Sequence, residues 1–129
     1  MRLVLAAAFA ALLTAAPAYA TGGFTCRPVS GAGPVVSFGF GHAVSAPVFV
    51  AQIKDGKRTL LASGNPKDPI QIGQSWIDSR YLWLDLVDAN ATRFEAKLRA
   101  TFQPKLRGRP AIGTLVRGGR TYRVRCEES

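Results

Sequence analysis

The sequence predicts an all-β protein: a single small antiparallel β-barrel or sandwich of about eight strands, following a cleaved signal peptide. Three observations carry this expectation. Residues 93–102 alternate apolar and polar without a break, the period-two pattern of a strand with one dry face and one wet face. Short apolar runs recur along 21–129, separated by Gly, Pro, Asn and Asp, the residues that turn or end a strand. Cys26 and Cys126, the two cysteines of the chain, bracket nearly all of this stretch. A bond between them requires the first and last strands to lie side by side.

The elements follow in order. Residues 1–20 read as a secretory signal: Arg2 supplies the positive start, 3–13 are apolar, and 16–20 (Ala-Pro-Ala-Tyr-Ala) end in a small-x-small cleavage site. The apolar run is too short to span a bilayer. A lipoprotein is not expected either, since Cys26 does not follow the cut directly and 23–25 (Gly-Phe-Thr) is no lipobox. The remaining 109 residues, 21–129, make one β domain, near the commonest domain size.

Strands are expected at 23–29, 35–41, 48–54 and 57–63. In the second, Val36, Phe38 and Phe40 share one face. Asp55-Gly56 between the third and fourth is the residue pair of a tight hairpin whose central positions both need positive φ. The segment 64–69 holds two prolines and an Asn and reads as a loop. Weaker strand character follows at 70–76. At 80–87, Tyr81, Trp83, Asp85 and Val87 alternate with Leu82, Leu84 and Leu86, which predicts a central strand covered on both faces.

In 93–102, Phe94, Ala96, Leu98, Ala100 and Phe102 point one way, and Arg93, Glu95, Lys97, Arg99 and Thr101 the other. A helix would scatter these apolar residues around its circumference, so strand is preferred although the residue types also favour helix. After a basic loop at 104–110, a final hairpin joins 111–116 to 121–126, with Tyr122, Val124 and Cys126 facing in.

A disulfide between Cys26 and Cys126 would enclose about a hundred residues and stabilise by roughly 4–5 kcal/mol on the chain-entropy model. It places the protein in an oxidising compartment, periplasmic or secreted. Free thiols or a zinc site are the alternatives, but one histidine and no Cys-x-x-Cys make a poor zinc site.

The formal net charge is +9, and losing Arg2 leaves +8. Residues 21–92 are nearly neutral, with six Lys/Arg and five Asp/Glu. Residues 93–125 hold ten cations and a single acid, Glu95. These cations (Arg93, Lys97, Arg99, Lys105, Arg107, Arg109, Arg117, Arg120, Arg123 and Arg125) are the candidate anion-binding residues. If they merge into one surface, it attracts polyanions over a Debye length. Anionic lipid, lipopolysaccharide and acidic polysaccharide are the candidates outside the cytoplasm. A solvated face that keeps a small protein soluble is the plainer reading. Nucleic acid is disfavoured, because Phe94, Phe102 and Tyr122 all fall on inward faces and leave no exposed aromatic for stacking.

No catalytic constellation can be assembled, so no enzyme activity is expected. His42 is the single histidine, no Gly-x-Ser-x-Gly elbow is present, and Ser37 or Ser45 would need an unrelated geometry to join it. Asp78 and Asp88 belong to turns, where Asp satisfies backbone amides. Asp85, within an apolar strand, is either buried against an arginine or outward on an edge. No calcium loop, phosphate loop or dinucleotide glycine pattern occurs, and no metal or cofactor is expected. Asn90-Ala91-Thr92 is a sequon, relevant only in a host that glycosylates.

Phe24-Thr25-Cys26, Ala62-Ser63-Gly64, Tyr81-Leu82-Trp83 and the terminal Tyr122 to Cys126 together resemble the periplasmic inhibitors of C-type lysozyme. That resemblance implies an eight-stranded barrel and a protein partner, and no site residue is carried over from it. The expected function is an exported, non-catalytic β domain contacting an anionic envelope component through 93–125. The alternative is an inhibitor or binding protein for an envelope or host hydrolase, acting through a protruding loop at 64–80 that carries Asp68, Trp76 and Asp78.

Overall fold

The computed structural model describes residues 21–41 and 47–129; residues 1–20, on which the expected signal falls, and 42–46, with His42 and Ser45, lie outside the described residues. The described chain forms nine strands and no helix: β1 Thr21–Pro28, β2 Val35–Gly41, β3 Val48–Asp55, β4 Arg58–Ala62, β5 Ile70–Ile77, β6 Tyr81–Asp88, β7 Phe94–Phe102, β8 Ala111–Arg117 and β9 Arg120–Glu128. They make one continuous sheet in the order β4-β3-β2-β1-β9-β8-β7-β6-β5. It curls into a nearly closed barrel, which excludes a two-sheet sandwich.

The first and last strands are neighbours, and Cys26 faces Cys126 directly in the ladder, with the two sulfurs bonded. This junction lies in the middle of the sheet. The gap lies instead between β4 and β5, which approach each other without a hydrogen-bonded ladder. Strand parity explains the gap. Eight antiparallel pairings lead from β4 round to β5, so the two edge strands run the same way. They cannot complete the antiparallel pattern that binds the others. The loop 63–69 carries the chain back along the barrel to start β5, held by Asp68 accepting from the Ser63 amide and hydroxyl at 2.6 and 2.7 Å.

The interior is filled by the inward residues of every strand. Ile53, Ile70, Leu82, Leu84, Leu86, Leu98, Leu115, Val36 and Val124 are fully buried. One end is stopped by aromatic rings: Phe24 lies 5.5 to 5.9 Å, centre to centre, from Phe38, Phe40 and Phe102. At the other end an ion bridge crosses the mouth. Arg117, at the end of β8, reaches Asp55 on β3 at 2.9 Å and Glu95 on β7 at 3.3 Å. Its side chain is only 12% exposed, and it also donates to the Glu95 carbonyl at 2.9 Å.

Three expectations are corrected. The β3–β4 turn centres on Gly56-Lys57, since Asp55 pairs with Arg58, and of the two only Gly56 has positive φ. The pair of positive-φ glycines belongs to the β8–β9 hairpin, at Gly118-Gly119. Phe94 points outward, 57% exposed. The β6–β7 ladder slips between Leu86 and Val87, so that Val87 faces Phe94 while Leu86 faces Ala96. The extra residue turns Phe94 to solvent and leaves Glu95 within reach of Arg117. Finally, β6 is next to the edge rather than central, and its outer aromatics, Tyr81 and Trp83, stand in solvent.

Candidate anion-binding surface

The outer wall is read by following directly paired residues from strand to strand. One row runs Trp76, Trp83, Arg99, Thr114, Arg123 across β5 to β9. A second runs Asp85, Lys97, Val116, Thr121. A third runs Tyr81, Thr101, Ile112, Arg125, Arg27 onto β1. The outward residues of β8, Ile112, Thr114 and Val116, therefore form an uncharged strip. Lys97 and Arg99 stand on its β7 side, and Arg123 and Arg125 on its β9 side.

Beyond Arg125, Arg27 is its direct cross-strand partner. Like charges directly opposite destabilise a sheet. Glu127, two residues along β9, offsets part of this by accepting from Arg125 at 2.8 Å. Arg27 and Arg123 are exposed and make no ion pair among the described residues. Arg27 was missed at the sequence level because it sits in the near-neutral half of the chain. Only the β1–β9 pairing brings it to the basic wall.

The ten sequence-predicted cations thus divide. Lys97, Arg99, Arg123 and Arg125 share the wall. Arg93 pairs with Glu95 at 3.0 Å and Arg117 is committed to the ion bridge at the barrel mouth. Arg120 opens β9 beside the β8–β9 turn at that same end. Lys105, Arg107 and Arg109 lie in the loop 103–110 at the opposite end, where Arg109 lines a cavity of about 610 Å³ with Phe24, Asp78, Ser79, Phe102, Gly108 and Glu128. No single patch contains all ten.

Asp85 follows the first of its two alternatives, burial against an arginine, since β6 is not an edge strand. It has outward parity on β6, yet is 5% exposed, because Arg99 covers it with a 2.8 Å ion pair. The same guanidinium lies 5.5 Å from the centre of the Trp83 ring. Trp76 and Trp83 are exposed and directly paired across β5 and β6, and Tyr81 stands 5.4 Å from Trp83. This platform corrects the expected loop at 64–80: the loop stops at 69, and Trp76 sits on a strand. It also removes the objection that the basic region lacks exposed aromatics. Lys97 itself lies 4.6 Å above the ring of exposed Phe94.

The turn aspartates do as expected. Asp78 accepts from the Trp76 indole at 2.8 Å and from the Tyr81 and Arg80 amides; these bonds, the indole's above all, hold its pKa below the usual carboxylate value. Asp88 is lowered chiefly by the Arg93 amide, then by the Thr92 hydroxyl. Asp68 is lowered by the Ser63 amide and hydroxyl. Carboxylates held low contribute stability that is complete above the unfolded-chain value and is lost as pH falls through the folded one. The urea midpoint is therefore expected to hold from about pH 7 to 5 and to drop below about pH 4, near the unfolded-chain Asp value. A midpoint unchanged down to about pH 2 would contradict the role given to these turns.

Among the described residues no group of three or more His, Cys, Asp and Glu is placed to hold a metal ion, and no helix is long and apolar enough to cross a membrane. Comparison with known protein families, curated proteins and solved structures finds no match to this chain.

Proposed function

We propose that this protein is an exported, non-catalytic β-barrel that binds a polyanion of the cell envelope through the outer wall of β7, β8, β9 and β1. The observation that supports this reading is the arrangement of Lys97, Arg99, Arg123, Arg125 and Arg27 on both sides of an uncharged strip. A flexible anionic chain crossing this wall meets cations on both sides of β8. The flanks are two strand steps apart, roughly 10 Å at ordinary strand spacing. Placing Arg27 opposite Arg125 costs stability in the free protein, a cost that a bound anion relieves. The disulfide fits the compartment, since such bonds persist in oxidising surroundings.

Binding to phosphatidylglycerol vesicles, lipopolysaccharide and a polyuronate is the test. At least one is expected to bind at about 20 mM salt and to weaken several-fold by about 200 mM, where screening shortens the reach of each charge. The triple variant R27Q/R123Q/R125Q is expected to weaken binding by about tenfold, equivalent to about 1.4 kcal/mol. The loop variant K105Q/R107Q/R109Q should have a smaller effect. No binding at low salt, or equal losses in both variants, would overturn the proposal.

A second reading, a protein-binding inhibitor, is favoured by one observation, the exposed Trp76, Trp83 and Tyr81. Aromatics of this kind are typical anchors of protein interfaces. A basic partner such as a C-type lysozyme would be repelled by the wall beside them.

A further inference from the structure

The aromatic platform and the basic wall are one surface. Trp76, Trp83 and Arg99 are the first members of the row that ends at Arg123. At about 4.8 Å per strand the row is roughly 19 Å long. Its first part offers flat π-faces, its last part positive charge. A ligand that fits all of it has flat, weakly polar faces repeated along a chain, and negative charge.

The chemistry around the rings narrows the choice. Trp76 is 55% exposed and Trp83 42%. The Trp76 N–H is already satisfied by Asp78 at 2.8 Å, so what the ring offers is its faces, in a fixed orientation. A cavity of about 310 Å³ opens between the two indoles and is lined by Gln74, Ser75, Asp85 and Arg99 as well. These side chains supply an acceptor in Asp85, donors in Arg99, and both in Gln74 and Ser75. Neighbouring hydroxyls on a ring need donors and acceptors together. The C–H face of a pyranose ring packs flat on an indole, as other apolar faces do.

A nucleic-acid chain would also stack on the rings, so single-stranded DNA is set against the saccharide in the test below. An anionic lipid surface uses the charges, but sinking the Trp76 ring into it would carry the attached Asp78 carboxylate toward the acyl chains.

Resting on the polyanion reading above, we propose that the polyanion is an acidic polysaccharide, and that Trp76, Trp83 and Arg99 form its sugar-stacking subsite. The chain then runs along the row, stacking at β5 and β6 and placing its carboxylates among the cations of β7, β9 and β1. The aromatic and cationic parts make separable contributions.

Oligogalacturonate, a neutral maltooligosaccharide of equal length, phosphatidylglycerol vesicles and single-stranded DNA are the probes, with tryptophan emission and calorimetry as readouts. Oligogalacturonate is expected to bind and to change the emission. W76A and W83A should each lose about tenfold in affinity, and W83F should recover most of the loss. Vesicle binding by these variants should be unchanged. Both rings are exposed, so the urea midpoints should fall only slightly, more for W76A because it also removes the indole hydrogen bond to Asp78.

Oligogalacturonate binding unaffected by W76A and W83A, yet lost in R27Q/R123Q/R125Q, would overturn the saccharide inference and leave the polyanion reading standing. A maltooligosaccharide bound as tightly would overturn the acidic half of the inference. Tighter binding to vesicles or to single-stranded DNA, with the tryptophans contributing, would assign the platform to that ligand and overturn the proposal. No binding to any polyanion would overturn both readings.

Discussion

Replacing Cys26 and Cys126 by alanine is expected to lower stability by about 3–5 kcal/mol. The bond closes a loop of one hundred residues, for which the chain-entropy model gives about 4.7 kcal/mol at 25 °C. A domain of this size has a total stability of about 5–15 kcal/mol. The linked form should therefore be comfortably folded, and the variant close to its limit. Both cysteines are fully buried in the core, so the two methyl groups leave a small cavity that adds to the loss. The check is a urea titration of both proteins. A midpoint unaffected by the substitution would mean that β1 and β9 are held by their ladder alone. Because β9 carries Arg123 and Arg125 and β1 carries Arg27, affinity for the polyanion should fall in step with the fold.

Gly113→Val is the second substitution with a large expected effect, about 3 kcal/mol or more. Gly113 has inward parity on β8 and stands opposite Ala100 on β7. Any Cβ there is driven into the Arg99 carbonyl oxygen and lies 2.5 Å from the Ala100 Cα. The obstacle is backbone, so no rotamer change relieves it, and β7 and β8 must separate. Arg99 belongs to the strand that is pushed away, so its contacts with Asp85 and Trp83 should loosen as well. Thr114→Ala, one residue along and exposed, supplies the comparison and should change stability by no more than about 0.5 kcal/mol. Equal effects at the two positions would show that the strands do not approach as closely as described.

Much of the fold was legible because turns are written in local chemistry. Gly-Gly at 118–119, the prolines at 66 and 69, and the aspartates at 78 and 88 act on their own neighbours, so their positions alone mark the ends of strands. The strict alternation over 96–102 was legible for the same reason. Phe94 was not: its direction is set by a slip in register against β6, and nothing within β7 records the register of another strand. The seam was hidden in the same way, since it depends on the parity of the whole strand count.

The site was legible only in part. A run of cations in sequence became a wall, a loop and two barrel ends, because successive strands, and residues within them, face different ways. Arg27 and the Trp76–Trp83–Arg99 row are products of pairing across the sheet. Asp85 was singled out by its residue type in an apolar strand, but its partner became visible only when Arg99 was placed beside it.

The position of the disulfide has a mechanical consequence. Cys26 and Cys126 join near the two ends of the folded domain, and every residue between them lies inside a closed covalent ring. Tension applied at residue 21 and at residue 129 passes through 21–26, across the sulfur–sulfur bond, and out through 126–129. Residues 27–125 are bypassed, including all five cations of the wall and the whole aromatic platform. A protein anchored at one end and pulled at the other would keep its binding face unloaded for as long as that bond stays oxidised.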